Sequence, residues 1–193
     1  MIGHSESDSR IKSFIRDYRP EIKFVTIFSV GLVTCFLLVN QSWVANNIVK
    51  PITVAEAYVA SVVLNSIGYA NEQESIYISS TEGRLFRMEV RNNCNGVYES
   101  IVFLMAFIAI QIPWRRKIGW MTIGFILFHI VNELRLITLF IIGSEYPQAF
   151  TFFHETFWNY ALVFLTLAIF IFCAHKVSKT PVVKPRLSEA DVP

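Results

Sequence analysis

Four stretches of this chain, 24–43, 97–114, 119–142 and 153–174, are apolar enough and long enough to cross a lipid hydrocarbon core. Such a core is about 30 Å thick and takes roughly 20 helical residues at about 1.5 Å each. With 53% hydrophobic residues and 17 Phe among 193 positions, the chain carries more apolar surface than a soluble domain of its size could hide. The expected product is an all-α polytopic membrane protein with one membrane-embedded domain. A fifth stretch, 54–70, is weaker.

The net charge of +2 decides little, but the placement of Lys and Arg does. Arg10, Lys12, Arg16, Arg19 and Lys23 precede the first span, Arg115, Arg116 and Lys117 fill the turn between the second and third, and Lys176, Lys179, Lys184 and Arg186 follow the fourth. By the positive-inside rule these mark the cytoplasmic side of a plasma (inner) membrane. Both termini are then cytoplasmic, and 44–96 and 143–152 face outward. A crossing by 54–70 would throw the later basic groups outside. That segment is therefore expected as an amphipathic helix on the outer surface, with Glu56 and Asn65 towards water. The region after the first span offers Trp43-Val44-Ala45 where a cleavage site would want small residues, which favours a retained anchor.

The chain divides into a cytoplasmic arm at 1–23, a membrane-embedded domain at 24–175 that includes the extracytoplasmic part 44–96, and a disordered cytoplasmic tail at 176–193 with three prolines. Residues 76–78 and 85–90 alternate around Glu82-Gly83, where glycine can supply positive φ, and so predict a small extracytoplasmic β-hairpin. The hairpin leads straight into Cys94.

Three chemically expensive residues come to one depth. Cys94 sits in the polar run Asn92-Asn93-Cys94-Asn95-Gly96 just before an apolar stretch. A helix N-terminus beginning there would lower the thiol pKa and favour the nucleophilic thiolate; the alternative is a surface thiol of no consequence. Cys35 and Cys173 lie within apolar runs and read as small buried hydrophobes.

Arg135 lies 16 residues in from Gly119, about 24 Å at the helical rise, which puts it in the outer leaflet. A charge at such a position faces protein or a water-filled cavity. His129, Asn132 and Arg135 form one polar stripe at spacing three, with Glu133 nearby. Arg135 could instead be answered by Glu133 or by Glu99 of the neighbouring helix, forming an interhelical lock. His154 leads the last apolar stretch at the outer boundary, where it is either a tethered polar group or a base, with His129 as a rival base nearer mid-membrane. Neither metal-ligand spacing, nor a glycine-rich phosphate loop, nor a basic stripe for nucleic acid is present in the sequence.

Cys94-Asn95-Gly96 opening one membrane helix, Asn132-x-x-Arg135 in the next and His154 leading the last resemble the exosortase/archaeosortase family, and the small size is similar to its compact exosortase H branch. The resemblance runs over about residues 20–175. It implies a membrane cysteine protease or transpeptidase that cleaves a C-terminal sorting signal (motif, apolar helix, basic end, of the PEP-CTERM kind) on exported proteins. Cys94 would be the nucleophile, Arg135 the oxyanion or substrate-positioning group and His154 the general acid/base, with Asn132, Asn95, Gly96 and Glu99 in support. No metal or organic cofactor is needed. The implied partners are the exported substrate and membrane lipid, with a lipid or surface polymer as a further acceptor and no nucleic acid. The competing reading is a non-catalytic transport or assembly subunit using Glu133, Arg135, His129 and Glu99 as a polar pathway.

Overall fold

A computed structural model describes residues 16–92 and 94–179. It is a polytopic helical membrane protein with a small antiparallel sheet at one end. Helix α1 is Arg19–Val39, and α2 is Ser42–Ser66 with a π-helical turn at Ala45–Val49. Strands β1 Asn71–Glu74, β2 Tyr77–Ser80 and β3 Arg87–Glu89 follow, then α3 Val97–Ala109, α4 Trp114–Glu145 and α5 Pro147–Ser178, the last with a π-helical turn at Phe152–Phe157. Among the described residues α1, α2, α4 and α5 are long and apolar enough to cross a membrane. Their outward faces are apolar, with Val25, Val33 and Leu37 of α1 and Val163, Phe164 and Ile171 of α5 exposed for contact with lipid.

The set of long helices differs from the sequence expectation at two places. The stretch 97–114 forms only the 13-residue helix α3, about 20 Å long. It stops at Ala109 because the chain turns extended at Ile110, and Lys117 reaches back to cap it, donating from Nζ to the carbonyls of Phe107, Ile108 and Ile110 at 3.2, 3.0 and 3.1 Å. Lys117 is thus buried in this turn, whereas its neighbours Arg115 and Arg116 stay accessible.

The second difference is α2, which begins twelve residues before the expected surface helix and has spanning length. Its buried positions Thr53, Glu56, Ala57, Ala60 and Leu64 recur at helical spacing, the mark of a helix laid on one partner. Glu56, expected to face water, is instead 7% exposed and points into the bundle. Both ends of α2 nevertheless stay at the sheet end. Ala45 and Lys50 line a cavity with Tyr98 and Arg91, and Asn65 bonds the backbone of Asn71 in β1.

Helix directions follow from a few contacts. Gly31 of α1 lies against Met105, and the rings of Phe36 and Tyr98 are 5.4 Å apart, so α1 and α3 run antiparallel. Gly124 of α4 meets both Phe103 and Cys173, which sets α3 and α5 against the same turn of α4. Two cores result. One joins Ala57, Ala60 and Leu64 to Ile78, Met88, Val90, Leu136 and Phe140 under the sheet; the other gathers Phe103, Phe107, Cys173 and Val177 towards the basic end. Polar side chains separate them.

The predicted hairpin is present as β2 and β3, paired antiparallel with Tyr77 opposite Glu89 and Ile78 opposite Met88, and Gly83 takes φ 70° in the connection. A third strand, β1, adds to β2. Its sequence Asn-Glu-Gln-Glu has no apolar alternation, so nothing local announced it; Asn71 is fixed by Ser61 and Asn65 of α2. At the termini, helix extends into the segments expected as arm and tail, from Arg19 and to Lys179. The remainder of those two expectations lies outside the described residues.

Candidate active site

Cys94 is presented by a turn in which it and the following Asn95 and Gly96 are held against the bundle. Its N–H donates to the Arg91 carbonyl at 2.7 Å, and its own carbonyl accepts from Asn132 Nδ2 at 3.3 Å. Asn95 is wholly buried. Its Oδ1 accepts the N–H of Val97 at 3.1 Å, supplying one of the donors left over at the start of α3, and its Nδ2 donates to Thr53 Oγ1 of α2 at 2.6 Å. Gly96 follows with φ 66°, a left-handed conformation that suits glycine, and a Cβ there would stand 2.9 Å from the Phe128 ring. The sequence Cys-Asn-Gly is therefore a turn specified at three successive positions.

His154 enters from the π-helical turn of α5, with its ring stacked on Phe150 at 5.5 Å and 7°. The extra residue of a π turn rotates the following side chains relative to a regular helix, and such turns occur often at functional positions. His154 Nε2 lies 3.3 Å from Cys94 Sγ. Arg135 of α4 is 1% exposed and its Nη2 lies 3.6 Å from the same sulfur. That nitrogen also lies 3.5 Å from Asn159 Oδ1, and Asn159 is oriented by donating its Nδ2 to the Glu155 carbonyl at 2.8 Å. Thiol, imidazole and guanidinium thus meet in one place. Cys94 and His154 both line a cavity of about 320 Å³, together with Phe86 to Glu89, Arg91, Leu136, Leu139 and Phe150.

Burial pushes the Cys94 thiol above its ordinary pKa; the Arg135 charge and a hydrogen bond from the Arg91 backbone oppose this without overcoming it. The expectation of a lowered pKa is corrected here. The thiol is 5% exposed, and desolvation outweighs whatever the start of α3 contributes. A neutral thiol next to an imidazole needs its proton removed as it reacts, and the base for that stands at hydrogen-bonding distance.

The remaining polar residues divide differently from the sequence reading. His129 does not approach Cys94. Its Nδ1 lies 2.8 Å from Glu56 Oε1 and its Nε2 3.2 Å from Ser100 Oγ. Glu56 Oε2 accepts from Asn132 Nδ2 at 3.2 Å. This second network braces the Cys94 turn from behind. Among the described residues no ion pair joins Arg135 to Glu133 or Glu99. Glu99 instead lines an apolar cavity with Phe24, Phe28 and Phe170 on another side of α3.

Glu56, Thr53 and Asn159 were missed from the sequence. A signal existed for Asn159, a lone amide five positions beyond His154 in an apolar run; Glu56 was visible as a lone acid in an apolar segment but was assigned to water. Among the described residues no group of three or more His, Cys, Asp or Glu is gathered for a metal ion.

A helical membrane bundle whose sheet-capped end holds a buried thiol against an imidazole and a guanidinium defines a multi-pass membrane protein built around a cysteine. The family model for transmembrane exosortases matches residues 21–173, nearly the whole membrane domain, and the chain belongs to that family. Membership gives it an exosortase-type function at the membrane. No curated protein and no solved structure matches it.

Proposed function

We propose that the chain is a membrane cysteine peptidase or transpeptidase acting on exported proteins that carry a C-terminal sorting signal of motif, apolar helix and basic end. The observation that supports it most is the approach of two groups to one sulfur, His154 Nε2 at 3.3 Å and Arg135 Nη2 at 3.6 Å. The basic flanks support a reading with the termini in the cytoplasm of the plasma (inner) membrane and the sheet end, with Cys94, on the extracytoplasmic face.

The substrate's own helix holds it in the bilayer, so its motif meets the sheet end by lateral diffusion. As Sγ bonds to the scissile carbonyl carbon, the thiol proton passes to His154 Nε2. The carbonyl oxygen becomes an oxyanion beside the Arg135 guanidinium, which is held in place by Asn159. Collapse breaks the C–N bond, and His154 returns the proton to the leaving amine. The thioester on Cys94 is then consumed by water, an amine, or the nucleophile of a lipid or surface polymer. Asn132, Asn95 and Gly96 position the nucleophile without touching the substrate.

The test is co-expression with a reporter ending in such a signal. Wild type is expected to shorten the reporter and Cys94→Ala to leave it whole; equal processing by the two refutes the proposal.

A further inference from the structure

β3 is an edge strand. Its partner β2 covers one side only, since the sheet order is β1-β2-β3. In an antiparallel ladder, opposed residues alternate between exchanging hydrogen bonds and turning their backbone groups away. Ser80 N–H donates to Phe86 O, and Val90 N–H donates to Ile76 O. With the register of Ile78 opposite Met88, this puts Phe86, Met88 and Val90 at the bonded positions. Arg87 and Glu89 therefore aim N–H and C=O at the free edge.

The cavity that contains Cys94 and His154 runs along that edge. Phe86, Arg87, Met88 and Glu89 all line it, and consecutive residues point to opposite faces of a sheet, so a groove touching all four follows the strand's side. The next edge-facing residue in the alternation is Arg91. Its carbonyl accepts the Cys94 N–H at 2.7 Å. The row of edge groups thus ends at the turn that carries the sulfur.

We propose that the acyl donor binds as an extended fourth strand on the free edge of β3, pairing with the backbone of Arg87 and Glu89 so that its next carbonyl reaches Cys94 Sγ. This rests on the peptidase reading and adds how the peptide is held. The occupant is a peptide because only a backbone offers a donor and an acceptor at every second residue, roughly 6.8 Å apart, to match the edge. A lipid or glycan has no such repeat. An unpaired edge of this kind is ordinarily blunted; here Leu136, Leu139 and Phe150 line the same cavity as the edge. Recognition through the backbone also sets distance: two residues along the added strand carry the ladder from Glu89 to the thiol.

The test uses proline, which removes an edge N–H and fills the edge with its ring but leaves the ladder bonds to β2 intact. Processing of the reporter is expected to fall at least tenfold further in Glu89→Pro than in Glu89→Ala, and in Arg87→Pro than in Arg87→Ala, with Cys94 alkylation by N-ethylmaleimide unchanged between members of each pair. Equal processing within each pair overturns the inference.

A second arm needs no turnover. In a Cys94→Ala, Glu89→Cys chain, single cysteines are walked along the reporter motif and oxidised. Crosslinks strong at one reporter position, weaker two residues either side and absent between them support an added strand. A flat or empty pattern overturns it. If wild type and Cys94→Ala process the reporter equally, the peptidase reading fails, and the crosslinking pattern still judges the edge by itself.

Discussion

The Asn132 amide nitrogen joins two parts of the site, donating to Glu56 Oε2 at 3.2 Å and to the Cys94 carbonyl at 3.3 Å. Through it a carboxylate on α2 sets the height of the turn that carries the thiol. Asn132→Ala is expected to lose about 1–3 kcal/mol of stability, because it leaves a buried acceptor without its donor. Glu56→Gln should act in the same direction, since its amide nitrogen would face the donor of Asn132 or His129. Thermal unfolding in detergent measures both. The double variant should lose less than the sum, as expected for residues of one network.

Gly96 and Gly119 separate two effects of the same substitution. At Gly96 an alanine must adopt φ 66° and meets Phe128, so Gly96→Ala should cost at least 1–2 kcal/mol, on the scale of the left-handed penalty alone. At Gly119 no atom lies within 4 Å of an added Cβ in the helix α4, and Gly119→Ala should be neutral or stabilising by up to about 1 kcal/mol. Only the first should slow alkylation of Cys94.

The raised pKa of Cys94 has a defined sign. The thiolate is the reactive form, so below the pKa reactivity climbs with pH, and a raised pKa moves the midpoint to the alkaline side of an ordinary thiol. Arg135 opposes the shift, so Arg135→Gln should move the midpoint higher still. Rates of N-ethylmaleimide reaction across pH test this; a midpoint on the acid side of free cysteine would contradict it.

His154 is expected to matter for turnover more than for architecture. His154→Gln should lower reporter processing by about 10²–10⁴, the range for loss of a general acid/base. Cys94 should remain alkylatable, since its turn is held by Asn132, Asn95 and Gly96. Removing the Arg135 charge should cost about 10²–10³ in rate if it stands at the oxyanion.

Lys117 closes the end of α3 with three carbonyls in its reach. Lys117→Met keeps the apolar stem but drops the ammonium, and a loss on the order of 2–3 kcal/mol is expected from buried acceptors left unmet. Arg115→Met, two residues earlier and exposed, should change stability little.

The membrane class was legible because long apolar runs leave few alternatives. The coincidence of Cys94, Arg135 and His154 was legible because depth along a helix can be counted at a fixed rise. Counting, however, gives level and not direction around the axis. His129 and Arg135 share a stripe in sequence yet serve different networks, because α2 supplies Glu56 to one and α5 supplies Asn159 to the other. The thiol's raised pKa was equally out of reach, since it depends on how completely neighbouring elements cover the sulfur.

Composition and the spacing of apolar and basic residues by themselves determined that this chain is a helical membrane protein and which three side chains share a depth, because the bilayer tests length and polarity one segment at a time. Tertiary structure decided the rest: that α3 stops at Ala109, that Glu56 turns inward, that a polar strand joins the sheet, and that β3 lines the cavity that holds Cys94. Each of these is settled by a partner distant in sequence, and a pattern read along one segment contains no term for what that segment will meet.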